Sequence, residues 1–117
     1  MTPEHAIFDE ETFGPSATLY TVENADEAVD LANVSAYGLN ATIHTTNYIK
    51  ALEMAKQLDY GQVHVNTTTV YDQSTLPISG VKGSGWGSNN GKYGIREFLE
   101  DKTVTLHSPD EPLAFGS

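Results

Sequence analysis

The sequence predicts an α/β fold with a parallel three-stranded βαβαβ core and a further strand near the C-terminus. Three observations predict it. Between Ala17 and Asn66, stretches rich in β-branched and aromatic residues alternate with stretches whose apolar residues recur at helical spacing. Each strand-to-strand connection contains a helix, so the strands run parallel through right-handed crossovers. Finally, Thr103-Val104-Thr105-Leu106-His107 alternates polar and apolar residues with the period of a strand exposed on one face.

Taken in order, Ala17-Thr18-Leu19-Tyr20-Thr21-Val22 has the composition of a strand. Asn24 can accept from the first free amides of a helix, and Glu27 can reach back three residues, as in a capping box. Ala25, Ala28, Val29 and Ala32, with Leu31 beside them, form one apolar face, and the pattern breaks from Asn33 to Gly38. Ala41 to Thr45 reads as the second strand. Thr46 or Asn47 then opens a helix with Tyr48, Ala51, Leu52, Ala55 and Leu58 along one side, and Gly61 is expected to end it. Gln62-Val63-His64-Val65-Asn66 is the third strand. Residues 67–78 form a polar, Thr-rich loop, followed by a glycine-rich stretch and a short helix over Ile95 to Glu100. From Ser108 onward the chain reads as a loose tail.

If the three strands lie in sequence order, right-handed crossovers place both helices on the same face. Parallel sheets are ordinarily covered on both faces. Val104 and Leu106 also stand on a strand with no hairpin partner, so the chain is expected to need surfaces from elsewhere.

Composition narrows the function. The 117 residues hold 16 Asp+Glu against 6 Lys+Arg, a formal net charge of −10, and no Lys or Arg precedes Lys50. Nucleic-acid binding is disfavoured, because a binder must neutralise phosphates. No apolar run approaches the roughly 18 residues of a membrane span, and Met1-Thr2-Pro3-Glu4-His5 lacks the features of a secretory signal. A cytoplasmic protein is expected. Cysteine is absent, which removes disulfides, thiolate metal sites and cysteine nucleophiles together.

Several motifs fail on inspection. A Walker loop needs Gly-Lys-Ser/Thr, but Gly91-Lys92 is followed by Tyr93. A dinucleotide fingerprint needs a third glycine where Ser88 or Asn90 stands. His5, His44, His64 and His107 show no metal-ligand spacing, and no G-x-S-x-G elbow is present. Asp9-Glu10-Glu11-Thr12-Phe13-Gly14-Pro15 is more specific. There a carboxylate can accept two hydrogen bonds from a sugar diol, and the ring can pack on a flat heterocycle. The plain alternative is an acidic surface loop followed by a core phenylalanine.

Glu10-Glu11-Thr12-Phe13-Gly14-Pro15, Glu27-Ala28, Leu31-Ala32-Asn33 and Tyr37-Gly38-Leu39 together resemble the C-terminal part of the aldehyde dehydrogenase superfamily. So do Gly61-Gln62-Val63-His64-Val65-Asn66, Pro77-Ile78-Ser79-Gly80-Val81-Lys82-Gly83-Ser84-Gly85 and Tyr93-Gly94. The order holds from about Glu4 to His107, and Val63 to Asn66 with Val81 to Gly87 look nearest to the salicylaldehyde and vanillin dehydrogenase-like group. The resemblance implies NAD(P)-dependent oxidation of a small-molecule aldehyde to an acid. It implies that Glu11 binds the nicotinamide ribose hydroxyls, that Phe13 contacts the nicotinamide, and that Tyr71 and Ile78 wall the aldehyde pocket. It divides the chain into catalytic-domain residues 1–102, an oligomerisation strand over 103–108 and a tail over 109–117, and makes a homo-oligomer the expected assembly.

The departures matter as much. The family's nucleophile is a cysteine that attacks the aldehyde to form a thiohemiacetal, and this chain has none. The family's general-base glutamate, its oxyanion-stabilising asparagine and its cofactor-cradling domain lie upstream of the matched region. No catalytic residue is therefore assigned. Where the family carries an aromatic and Gly-Gly, this chain carries Ile78-Ser79-Gly80. The expectation is a portion of an NAD(P)-dependent aldehyde dehydrogenase that is inactive alone, or else a truncated interaction module that associates with full-length subunits.

Overall fold

The computed structural model describes residues 10–110; Glu4, His5, Asp9 and the tail beyond Asp110 lie outside the described residues. Helix α1 spans Ala25–Asn33. Asn24 Oδ1 accepts from the Glu27 amide at 2.9 Å, and the Glu27 carboxylate accepts from the Glu23 amide at 2.8 Å. The box expected from the sequence forms, with its return bond landing one residue ahead of the cap. Strand β1 (Tyr37–Gly38) follows, then β2 (Asn40–Ile43). Helix α2 spans Tyr48–Ala55 and is capped by Asn47, whose Oδ1 accepts from the Lys50 amide at 3.0 Å. Strand β3 covers Gln62–Val65 and pairs in parallel with β2, Asn40 opposite Gln62 and Ile43 opposite Val65.

Beyond it come β4 (Ile78–Ser79), β5 (Val81–Lys82), β6 (Ser88–Asn89) and helix α3 (Gly91–Arg96). Two antiparallel ladders of two residues each join β1 to β5 and β4 to β6. The expected helix over Ile95 to Glu100 begins earlier, at Gly91, and ends at Arg96.

Both long helices pack against the β2–β3 pair. Ala28 and Val29 of α1, Ala41 and Ile43 of β2, and Met54 and Leu58 border one cavity of about 230 Å³. Val29 (4% exposed) and Ala51 (fully buried) are the buried hydrophobic side chains among the described residues.

Three expectations need correction. Ala17 to Val22 joins no ladder, so the parallel core has two strands among the described residues rather than three. Thr18, Leu19, Tyr20 and Val22 instead border a groove of about 520 Å³ against Ala28 and Leu31 of α1. Strand propensity measures fit to a half-buried surface, and the surface these residues meet is a helix flank. Thr103 to His107 likewise forms no strand, and Leu106 is 93% exposed. A strand needs a neighbouring edge to pair with, and the described residues supply none there. Gly61 does not end α2, which closes at Lys56. It is needed for another reason: a Cβ at Gly61 would overlap the backbone carbonyl of Ser79.

The C-terminal end of α1 is where distant segments meet. Helix ends leave carbonyls without intrahelical partners. Here the Tyr60 hydroxyl donates to the Ala32 carbonyl at 2.9 Å, and Lys82 Nζ donates to the carbonyls of Asn33 (3.0 Å) and Ser35 (3.3 Å). The Asn33 side chain donates to the Gln57 carbonyl at 2.7 Å and accepts from the Asp59 amide at 2.9 Å.

Burial pushes the Tyr60 phenol above its ordinary value of 10.0. The unfolded chain therefore releases this proton first as pH rises, so stability is complete below the ordinary value and falls as pH climbs through the folded one. Urea titrations followed by circular dichroism on either side of that value are expected to show this decline. Tyr60→Phe is expected to flatten it while lowering stability at neutral pH by about 1 kcal/mol through the lost bond to Ala32.

Candidate functional site

The parallel pair has two unlike faces. Side chains alternate along a strand and partners across a ladder share a face. Ala41, Ile43, Val63 and Val65 therefore occupy one face, against the helices. Asn40, Thr42, Gln62 and His64 occupy the other. The loop of residues 67–77 runs back over this polar face and is fastened at both ends.

At the carboxyl ends of the strands, Asn66 adopts a left-handed conformation (φ 59°). Its Oδ1 accepts from the Thr45 amide at 2.8 Å and its Nδ2 donates to the Thr45 carbonyl at 2.9 Å. Asparagine suits this position because it tolerates positive φ and carries both a donor and an acceptor. The Thr42 hydroxyl donates to the Thr67 carbonyl at 2.6 Å. At the other end, Gln62 Nε2 donates to the Pro77 carbonyl at 2.7 Å. Midway, the Tyr71 ring meets His64 edge to face, centroids 5.7 Å apart and planes at 72°, and the Tyr71 hydroxyl accepts from Gln73 Nε2. Three buried atoms on the polar face, Asn40 Oδ1, Gln62 Oε1 and His64 Nε2, have no hydrogen-bond partner among the described residues.

Of the residues singled out from the sequence, Tyr71 thus lies on the loop and Ile78 on β4 immediately after it, opposite Asn89. Ile78 borders a cavity of about 330 Å³ with Leu39, Ser84, Trp86 and Glu97. Glu11 and Phe13 lie on the irregular segment before α1, and both are exposed, Phe13 at 94%. No hydrogen bond, ion pair or ring contact joins the Glu11–Phe13 pair to the Tyr71–Ile78 pair among the described residues. Sequence reasoning passed over Gln62, His64 and Asn66 as functional positions. The usable signal was the polar residue at every second position of both strands, read together with a parallel register.

The Glu11–Phe13 segment suits one end of a nicotinamide dinucleotide. An uncommitted carboxylate presents acceptors for a ribose diol, and an open ring presents an apolar face. It does not suit the pyrophosphate, since the neighbouring charge is acidic (Glu10, Glu11) and no Lys or Arg precedes Lys50.

A parallel pair with one helix-covered apolar face, and a fastened loop across its polar face, defines part of an α/β domain. Comparison with known proteins makes this specific. Residues 1–104 match the model of the aldehyde dehydrogenase family, and the chain belongs to that family. It is 39% identical over 105 residues to a lactaldehyde dehydrogenase of Methanococcus maripaludis, covering 90% of this chain and 23% of that one. It superposes with a TM-score of 0.87 on a salicylaldehyde dehydrogenase from Pseudomonas putida G7, solved with salicylaldehyde, at 33% identity over 97% of this chain and 24% of that one. An NAD-dependent aldehyde dehydrogenase from Sinorhizobium meliloti superposes at 0.86, with 35% identity over 99% of this chain and 23% of that one. Salicylaldehyde and vanillin dehydrogenases are both among the relatives, and similar solved members include complexes with NAD+ and with NADP. The chain spans under a quarter of the length of these three proteins.

The two fastenings of the loop separate by mutation. Gln62→Met keeps the length of the side chain but removes the bond to Pro77, a loss of about 1 kcal/mol. Chymotryptic cleavage at Tyr71 is expected to quicken by roughly fivefold. Thr42→Val releases the opposite end by removing the bond to the Thr67 carbonyl, and is expected to quicken the same cleavage by a similar factor.

Proposed function

We propose that this chain is the C-terminal portion of an NAD(P)-dependent aldehyde dehydrogenase that oxidises an aldehyde to a carboxylic acid, and that it is inactive as an isolated chain. One observation supports the reading: residues 1–104 match the aldehyde dehydrogenase family on a chain that has no cysteine. Aromatic aldehydes are the proposed substrate class, on the strength of the salicylaldehyde and vanillin relatives. Residues 1–102 are assigned to the catalytic domain and 103–108 to an oligomerisation strand.

In this reading the chain's residues bind and shape. The Glu11 carboxylate accepts from the nicotinamide ribose hydroxyls, and Phe13 lays its ring against the nicotinamide end. Tyr71, held by His64 and Gln73, and Ile78, held in β4, limit the shape of the aldehyde pocket. A branched aliphatic Ile78 leaves more room than an aromatic would for a planar substrate ring. Bound nicotinamide supplies the hydride acceptor. The nucleophile and the proton-transfer groups of the family have no counterpart in these 117 residues.

A second reading has its own observation. Val104 and Leu106 are exposed at strand spacing, with no ladder beside them among the described residues. That arrangement favours a segment that becomes a strand only against another subunit, and hence a non-catalytic module associating with full-length relatives.

Purified chain mixed with NAD+ and salicylaldehyde is expected to form no NADH above a heat-treated control, and measurable turnover would refute the reading. Native mass spectrometry of the chain mixed with an intact relative discriminates the second reading. Hetero-oligomers lost on Leu106→Asp support it, and separate species refute it.

A further inference from the structure

We infer that Asn90-Gly91 is a self-modification site, an asparagine poised for conversion to aspartate or isoaspartate, whose reaction the native contacts of residues 72–74 hold back. Asparagine is among the chemically labile residues of proteins. A following glycine removes the side chain that otherwise shields the next backbone nitrogen. The chain has one such pair. Asn90 is half-buried, sits at φ 69° in the turn between β6 and α3, and is followed by Gly91 at φ 55°.

The reaction is an intramolecular displacement followed by hydrolysis. The Gly91 nitrogen attacks Asn90 Cγ, the Cγ–Nδ2 bond breaks, and ammonia departs with the proton from Gly91. The resulting succinimide takes up one water at either carbonyl, leaving a carboxylate in place of the carboxamide. No oxidant or further reactant is involved.

In the folded chain both partners of that displacement are engaged. Asn90 Nδ2 donates to Asp72 Oδ1 at 2.8 Å and to the Gln73 carbonyl at 3.3 Å. The Gly91 amide donates to the Ser74 carbonyl at 2.9 Å. Closing the ring requires these bonds to break, so the reaction proceeds from states in which residues 72–74 have lifted away. It is also one-way in its structural effect. The product carboxylate would face Asp72, two like charges in place of a donor and an acceptor, so the segment does not re-dock. Residues 72–74 follow Tyr71 directly, and the loop over the polar sheet face thereby loses its tie to α3.

The test is peptide mapping by mass spectrometry of the full chain during incubation in mildly alkaline buffer, with and without urea. Conversion at Asn90 is expected to be roughly 150-fold slower without urea, the factor that three hydrogen bonds of ordinary net strength supply. Asp72→Ala is expected to quicken the native reaction by roughly fivefold while leaving the rate in urea unchanged. Gly91→Ala is expected to suppress conversion in urea. Equal rates with and without urea, or an Asp72→Ala chain that reacts no faster, overturns the proposal. Asn90→Asp is expected to show faster chymotryptic cleavage at Tyr71 than the parent; unchanged cleavage overturns the one-way release.

Discussion

The contact on which the remaining structure depends is the Lys82 ammonium over the open end of α1. Lys82 arrives there from forty-nine residues beyond Asn33, and it satisfies carbonyls that helix geometry leaves without partners. Its cation also sits at the negative end of the helix dipole. The ion pair between Lys82 and Asp59, at 3.8 Å, matters less: Asp59 is largely exposed, and exposed pairs contribute about 0–1 kcal/mol. Tyr60 and Asn33 complete the junction, so the helix end, the turn before β3 and the glycine-rich stretch are joined in one place. Lys82 reaches it from a left-handed backbone (φ 52°), and the Gly83 amide adds a bond to the Ala36 carbonyl at 2.8 Å. The short ladder between β1 and β5 lies directly beside this junction and depends on it.

From that junction the placement of the loop follows. Holding β5 near α1 fixes β4 one residue away, and Ser79 lies so close to Gly61 that no side chain fits there. The amino end of β3 is thereby set against Pro77, where Gln62 takes the carbonyl. At the other end Asn66 ties the two strand termini to each other and Thr42 fastens the start of the loop. A loop stretched between two such anchors positions Tyr71 with few rotamers left to it. This is how an irregular segment acquires the rigidity that a pocket wall needs.

Much of the helical half was legible in the sequence. Asn24, Glu27 and Asn47 signal their caps through side-chain chemistry that acts over three residues, and local signals of that kind survive in any context. The parallel pairing of Asn40–Ile43 with Gln62–Val65 was legible because a helix lies between them. The two-residue ladders were not, since they rest on contacts between Tyr37 and Lys82 or Ile78 and Asn89 that no local period encodes. The segments over 17–22 and 103–107 were misread for the converse reason. Their composition suits a strand, but composition cannot provide the neighbouring edge. Of the candidate site, Glu11, Phe13, Tyr71 and Ile78 came from family resemblance. The roles of Gln62, His64 and Asn66 emerged only once the register put them beside the loop.

The shape of the chain bears on all of this. Its radius of gyration is 21.4 Å, where a compact domain of this length has about 13 Å. Leu19, Trp86, Phe98 and Leu106 are each about nine-tenths exposed. Apolar exposure on this scale marks surfaces that pack against other polypeptide. The groove beside α1, the outer face of α2 with Tyr48, Ile49 and Leu52, and the strand-like segment at Val104 and Leu106 lie on different elements, so no single small partner covers them all. A member of this family with so much apolar surface exposed and no cysteine lacks packing and a sulfur nucleophile together. The groove beside α1, the outer face of α2 and the Val104–Leu106 segment are therefore the surfaces on which further polypeptide would pack.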